Sequence, residues 1–210
     1  MFVILKPEMK RCLGDLDPYL SQEGFKVESR HNITDWRALA EELYKPQIVG
    51  DPSFTPELNA YLWLTNSLFG NYGGLLRLSS QGGEDQNLRK LDALKRRFRR
   101  DISAKLDLPL RIFLDLRSIF PHQFTQGGKE GTLTIGSESL GTDFEGRWDH
   151  FFFKYIHVPD PNLETYRREA ELLQDHGLVS KPVEEAQWTQ MVRLGTLNPL
   201  QNQGVKNGRI

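Results

Sequence analysis

The chain has 210 residues, 38% apolar and 26% charged, with a formal net charge of -1 at pH 7, which is ordinary for a soluble globular protein and enough for one large or two small domains with a real core. A near-neutral charge gives no global pull toward nucleic acid or membrane, so either partner would need a local patch. No stretch approaches the length of a membrane span, the start Met1-Phe2-Val3-Ile4-Leu5-Lys6 lacks a signal-peptide pattern, and the one cysteine, Cys12, cannot close an intramolecular disulfide, so a cytoplasmic location is expected.

Met1 to Leu5 is an apolar run that predicts an interior strand, ended by Lys6-Pro7-Glu8, which leaves a lysine at its C-terminal tip. From Met9 to Glu23 the apolar residues Met9, Cys12, Leu13, Leu16, Tyr19 and Leu20 recur at three and four. This predicts an amphipathic helix stopped by Gly24, with Pro18 as a kink point. Phe25 to Ser29 alternates as a half-buried strand does, so the opening reads β-α-β. Thr34 or Asp35 can cap a helix running through Trp36, Leu39, Ala40 and Leu43 to Tyr44, with Pro46 just beyond its end. Pro56 opens a further helix closed by Gly70, and Leu75 to Ser79 is strand-like. A helix from Gln86 to about Lys105 then carries Lys95-Arg96-Arg97-Phe98-Arg99-Arg100, a cationic patch that reads either as a solvated helix face or as a contact for phosphate or nucleic acid.

Arg111 to Leu116 is again strand-like, and Phe120 to Gly146 is loop-rich with a hairpin expected around Thr132 to Ile135. Its Gly127-Gly128-Lys129-Glu130-Gly131 cluster lacks the spacing with which a phosphate-binding loop presents its amides, so it reads as a flexible hairpin or lid. Phe151 to Asp160 follows, an apolar run of strand length that delivers His157 just before a Pro159-Asp160 turn. Regular alternation would set Phe153, Tyr155 and His157 on one face and Phe152, Lys154, Ile156 and Val158 on the other. Taken alone, His157 also fits a satisfied histidine at the edge of a core. A helix from Asn162 to His176 shows Leu163, Tyr166, Ala170 and Leu173 on one face and is stopped by Gly177. Beyond it Trp188, Met191, Val192 and Leu194 form a small apolar face that could pack on a neighbour or on its own domain, and 200–210 reads as a loose tail. The five histidines show no recurring ligand spacing, and no metal ligand is assigned.

Four segments together resemble the nucleoside diphosphate kinase family, with this chain as a divergent member. Phe2-Val3-Ile4-Leu5-Lys6-Pro7-Glu8 is similar to the opening strand of that family, which ends in Lys-Pro-Asp. Gln22-Glu23-Gly24-Phe25-Lys26-Val27 resembles the end of its first helix and the start of its second strand. Glu41-Glu42-Leu43-Tyr44 looks like the helix supplying an active-site tyrosine, and Tyr155-Ile156-His157-Val158-Pro159-Asp160 resembles the Ile-Ile-His-Gly-Ser-Asp signature around the phosphorylated histidine. The resemblance covers roughly residues 1 to 175. It implies an α/β (α+β) sandwich with a ferredoxin-like βαββαβ core and a four-stranded antiparallel sheet. It further implies a kinase-like domain over 1–177, with an insertion at about 121–148 and a C-terminal extension over 178–210.

Carried over by position, the resemblance implies that His157 takes the γ-phosphate of a nucleoside triphosphate such as ATP and passes it to a nucleoside diphosphate. Lys6 would contact the travelling phosphate, Tyr44 would support the site and Glu169 would orient the histidine. Arg97, followed six residues later by Ser103, would bind phosphate, with Arg117, or else Arg111 or Arg147, as the second arginine. Phe54 would stack on the base, and Lys154 stands where the family has an asparagine that contacts sugar and phosphate. Magnesium would enter with the nucleotide, and a homo-oligomer is expected, with neither membrane nor nucleic acid as partner. Val158-Pro159 replaces the family's Gly-Ser and removes the serine that pairs with the glutamate. That departure and Lys154 favour the alternative of a nucleotide-binding relative with weak or repurposed transfer, and an RNA-binding module using the Lys95 to Arg100 helix ranks third.

Overall fold

In the computed structural model, which describes residues 1–11, 13–106, 126–127, 132–135, 138–140, 154–175, 179–186 and 188, the opening apolar run forms strand β1 (Phe2–Leu5) with all four side chains buried. Burial of successive residues requires cover on both faces, as in an interior strand. β1 lies between β3 (Gly73–Ser79) and β7 (Ile156–His157), and β2 (Lys26–Ile33) lies beyond β3. The sheet order is β2-β3-β1-β7, and every neighbouring pair is antiparallel. Among the described residues there are five α-helices: α1 (Leu16–Gln22), α2 (Trp36–Gly50), α3 (Thr55–Phe69), α4 (Glu84–Leu106) and α5 (Leu163–Asp175). The protein is thus α+β. No described helix is long and apolar enough to cross a membrane. Strands β4 (Gln126–Gly127), β5 (Thr132–Ile135) and β6 (Glu138–Leu140) form a second antiparallel sheet that contains the expected hairpin.

The long helix expected over Met9 to Glu23 is divided. Two 3-10 turns, Pro7–Arg11 and Leu13–Asp15, precede α1. Met9 N–H donates to the Lys6 carbonyl at 2.9 Å, an i to i+3 bond, and Gly14 is a weak helix former in between. Pro18 falls in the first turn of α1, where its missing N–H forfeits no helical bond, so it needs no kink. The exit from α1 is a Schellman motif: Gly24 has φ 78°, and the Gly24 and Phe25 amides donate to the Ser21 and Leu20 carbonyls at 3.1 and 2.9 Å.

β2 extends past Ser29 to Ile33 through an irregularity between Val27 and Ser29. Asp35 caps α2, its Oδ1 accepting from the Ala38 amide at 3.0 Å. The same helix continues to Gly50, so Pro46 lies inside it and not beyond its end. That position costs one backbone bond, to the Glu42 carbonyl. Gly73 is required by close approach, since a Cβ there would stand 2.8 Å from the Leu5 carbonyl oxygen.

The segment after α5 covers the outer edge of β2. Val179 and Val183 bridge Ile33 and Arg30, and the Ser180 and Val183 amides donate to the Asn32 and Arg30 carbonyls at 2.8 and 2.9 Å. Trp188 is buried beside Gly74, and the Arg30 guanidinium lies 5.7 Å from its ring centroid. This part of the C-terminal extension therefore packs on its own domain and shields an edge that would otherwise offer free pairing groups. The strand expected at Arg111 to Leu116, the segment Phe151 to Phe153 and the tail from 189 onward lie outside the described residues.

Candidate active site

Immediately before β7, Tyr155 has φ 49°, a backbone region that L-residues other than Asn and Asp rarely adopt. The Ile156 amide donates back to the Lys154 carbonyl, so Tyr155 is the centre of a γ-turn, a strained conformation that its surroundings must hold. They do so on two sides: the Tyr155 carbonyl accepts from the Lys6 amide at 2.9 Å, and its buried ring meets Phe98 edge-on at 6.5 Å. The turn also corrects the expected alternation. Lys154 and His157, assigned to opposite faces of a regular strand, both line one cavity.

Pairing of β7 with β1 sets His157 opposite Ile4, two residues before Lys6. Side chains two apart share a face, so Lys6 and His157 come side by side at the end of the sheet. After the turn at Pro161, Asn162 Oδ1 accepts from the Glu164 amide at 2.8 Å and starts α5 back past the sheet. Tyr166 of that helix stacks on Phe2 at 5.5 Å, and Glu169, one turn further, is 3% exposed. Glu169 Oε2 lies 2.7 Å from His157 Nε2. Pro159 stands where the resemblance would place a serine, and here the Glu169 carboxylate reaches the imidazole directly. With Glu169 ionised, Nε2 donates and holds the ring proton, and the Nδ1 lone pair is left for chemistry. Tyr44 fixes the ring from the side, edge-on at 6.2 Å.

Lys6 is 1% exposed, with its Nζ 4.7, 5.4 and 5.9 Å from the ring centroids of Tyr61, Tyr44 and Trp36. Burial pushes its pKa down to about 7; Glu8 opposes the fall, while Lys154, Arg99 and Lys95 add to it. Glu8 is itself buried and accepts from the Tyr61 hydroxyl at 3.2 Å. Burial raises the Glu8 carboxyl above its ordinary value, with Lys6 acting against the rise. Burial likewise raises the Tyr44 phenol, so it stays neutral.

These groups open on a cavity of about 970 Å³, large enough for a nucleotide-sized ligand. α2 lines it with Leu43, Tyr44, Pro46 and Gln47, α5 with Thr165, Arg168 and Glu169, and α4 with Lys95, Arg96, Arg99 and Arg100. Asp92 aims two of these cations, with Oδ1 2.9 Å from Lys95 Nζ and Oδ2 2.7 Å from Arg96 Nη2. Burial alone would raise the Asp92 pKa, but those two partners outweigh it and hold it low.

The structure thus brings together Lys6, Tyr44, Lys154, His157 and Glu169. It does not bring Arg97 there. Arg97 Nη2 pairs with Glu23 Oε1 at 3.0 Å, and its guanidinium sits 5.3 Å from the Tyr19 ring, on the side of α4 that meets α1. At about 100° per residue, position 97 lies about 160° round the helix from 95 and 99, and Arg97 is not among the residues that line the cavity. The cations that do line it, Arg99 above all, belong to the same basic run but were not singled out by the family spacing. Phe54 is half-buried against the core and is not part of the cavity lining. Ser103 lies in α4, but its side chain is outside the described residues, as are Arg111, Arg117 and Arg147. Among the described residues no cluster of His, Cys, Asp and Glu is placed to hold a metal ion. No protein-family model, no curated protein and no solved structure matches the chain.

Proposed function

We propose that the protein is a nucleoside diphosphate kinase-like phosphotransferase working through a phosphohistidine at His157. The observation that carries this reading is an imidazole held at Nε2 by a buried carboxylate, 2.7 Å away, in a cavity whose charged lining is mostly cationic. The sheet order β2-β3-β1-β7, antiparallel throughout, supports a ferredoxin-like βαββαβ core beneath it. His157 Nδ1 attacks the γ-phosphorus, the bond to the bridging oxygen breaks, and the nucleoside diphosphate leaves; a second diphosphate then attacks the phosphohistidine and takes the phosphoryl group. Such transfer is mostly positioning and charge stabilisation. Lys6, Arg99 and Lys154 supply the cations, and Glu169 stabilises the ring proton throughout. The charged lining of the cavity is largely cationic nitrogen and unsuited to a resident cation, so magnesium would enter with the nucleotide and supply charge neutralisation on its phosphates.

With Phe54 outside the cavity and the Tyr44 ring met by Lys6 and His157, no described residue of the cavity lining offers a nucleobase an open aromatic face. That favours, as a second reading, a relative whose transfer serves another phosphate compound. The RNA reading gains no comparable support, since the central strand is buried on both faces and offers no platform for stacked bases.

Incubation with magnesium and γ-labelled ATP tests the proposal. Wild type should take an acid-labile, base-stable label that His157→Ala abolishes and that nucleoside diphosphates discharge. Label that stays on wild type after diphosphates are added decides for the second reading. No label, in a protein that ATP still stabilises against heat, would refute transfer through His157.

A further inference from the structure

We infer that Arg168 is a positioning residue for His157, acting through Glu169; the inference rests on the phosphotransfer reading of the site. Glu169 is almost wholly buried, and a buried carboxylate needs a donor for each oxygen. His157 supplies one, at Oε2. Among the described residues the hydrogen bond to Oε1 comes from Arg168 Nη2 at 3.3 Å.

That contact is not an ordinary helical pairing. Adjacent positions on a helix point about 100° apart and do not face each other, so Arg168 has to fold its long side chain round α5 to reach its neighbour. Its side chain nevertheless remains 46% exposed against 4% for Glu169, and it lines the cavity. The guanidinium therefore stands between solvent and a carboxylate that has one other hydrogen-bond partner among the described residues.

The consequence follows from what the imidazole needs. Nδ1 is a nucleophile only while the ring proton stays on Nε2, and it stays there only while Glu169 presents an ionised oxygen at the right angle. Arg168 fixes the other oxygen and so fixes that angle, in the role the absent serine hydroxyl at Pro159 cannot fill. Its five donors let it hold Glu169 and still turn further N–H groups to a phosphate oxygen in the cavity.

The test compares wild type, Arg168→Gln and Arg168→Lys. Nitrogen-15 spectra of the histidine rings read the tautomer, and single-turnover labelling at saturating magnesium-ATP reads the rate. Wild type should show His157 protonated at Nε2. Arg168→Gln should show mixed tautomers and a labelling rate roughly 10- to 100-fold lower at saturation, the range in which outer partners of functional histidines act. Arg168→Lys, which keeps the charge and loses the fork, should recover part of both. An unchanged tautomer in Arg168→Gln, or a defect confined to KM with full rate at saturation, would overturn the inference and leave Arg168 as a nucleotide contact. If wild type takes no label, the phosphotransfer reading fails, and the tautomer comparison still decides the positioning role by itself. Circular dichroism of the variants checks that this exposed side chain was not needed for folding.

Discussion

Replacing Lys6 by methionine and Glu8 by glutamine together should make the protein more stable and less able to bind phosphate. Both are removed at once because taking one alone leaves the other charge buried without compensation. A fall in the Lys6 pKa from 10.5 to about 7, at about 1.4 kcal/mol per pKa unit, means that holding the ammonium in this site costs roughly 5 kcal/mol relative to water. Replacing buried charges by well-packed uncharged side chains of similar volume recovers about 1–4 kcal/mol of such a cost. For a chain of this length each kcal/mol moves Tm by about 2–4 °C, so a rise of roughly 2–16 °C is expected at neutral pH.

The pH dependence has a definite sign. Between about 7 and 10.5 the unfolded chain holds the Lys6 proton and the folded protein does not, so wild-type stability rises with pH across that window and the advantage of the variant shrinks. Glu8 has the opposite sense: its raised folded pKa lets the native state hold a proton above 4.5, so its contribution falls as pH rises from there. The stability gap should therefore be widest near neutrality and narrow on both sides. Guanidinium denaturation at pH values of about 5, 7 and 9.5 measures it, and the stabilisation of each protein by magnesium-ATP, read as a Tm shift, measures binding. A variant less stable at pH 7 would refute the electrostatic argument. A stabilised variant that still labels at the wild-type rate would remove Lys6 from the phosphate site.

Three further substitutions separate the parts of the fold. Arg99→Ala should weaken nucleotide binding at least several-fold, whereas Arg97→Ala should leave it intact and cost at most about 1 kcal/mol through its half-exposed pair with Glu23; equal binding defects would mean the two flanks of α4 are wrongly assigned. Gly73→Ala forces a Cβ to 2.8 Å from the Leu5 carbonyl and should cost about 1–3 kcal/mol in urea denaturation while shifting the neighbouring Lys6 and slowing labelling; a change under about 0.5 kcal/mol would contradict the close-approach argument. Trp188→Ala should cost about 3 kcal/mol, as loss of a buried indole does, and loosen the segment over β2. Light scattering should then show concentration-dependent self-association through the uncovered edge, and a strictly monomeric variant of unchanged stability would show that the segment does not guard it.

What could be read from the sequence was what local chemistry dictates. β1 was legible because five apolar residues end abruptly at Lys6-Pro7, and α2 and α3 because their caps and apolar spacing agree. Lys6, Tyr44 and His157 were named from short motifs and Glu169 from its place in the helix after them, and all four line one cavity. Features set by distant contacts were not legible. The γ-turn at Tyr155 has no glycine or asparagine to announce it; it is imposed by the Lys6 amide and the Phe98 ring, residues about 150 and 57 positions away in the sequence. Pro46 reads as a stop signal, yet it forfeits only one bond, and the helix runs on past it with Ile48 packed against the core. The choice of Arg97 failed for a related reason. Leu91, Leu94, Phe98 and Ile102 mark the core stripe of α4, which divides its basic residues into two flanks. Which flank meets α1 and which the cavity depends on the tertiary arrangement alone.

Composition hid the site for a reason that bears on its chemistry. A net charge of -1 argues against an anion-binding surface only if opposite charges are mixed at random, and here they are sorted. Asp92 faces Lys95 and Arg96 from their own helix, Asp101 takes Arg100, Glu8 sits beneath Lys6 and Glu169 takes Arg168. Each carboxylate cancels a cation in the sum, but most of these carboxylates lie outside the cavity while the cations line it. Burial is the main cause of the low Lys6 pKa, and Lys154, Arg99 and Lys95 lower it further, so the cluster repels itself when empty. A phosphate chain would relieve that repulsion on entry, and Lys6 would then regain its proton. Nucleotide binding should therefore take up close to one proton per site above pH 7 and fade as pH rises past that point. Calorimetric titration in buffers of different ionisation enthalpy counts the proton directly, and binding with no proton uptake at pH 8 would mean that Lys6 is already charged in the empty site and that the repulsion inferred here is not there to be relieved.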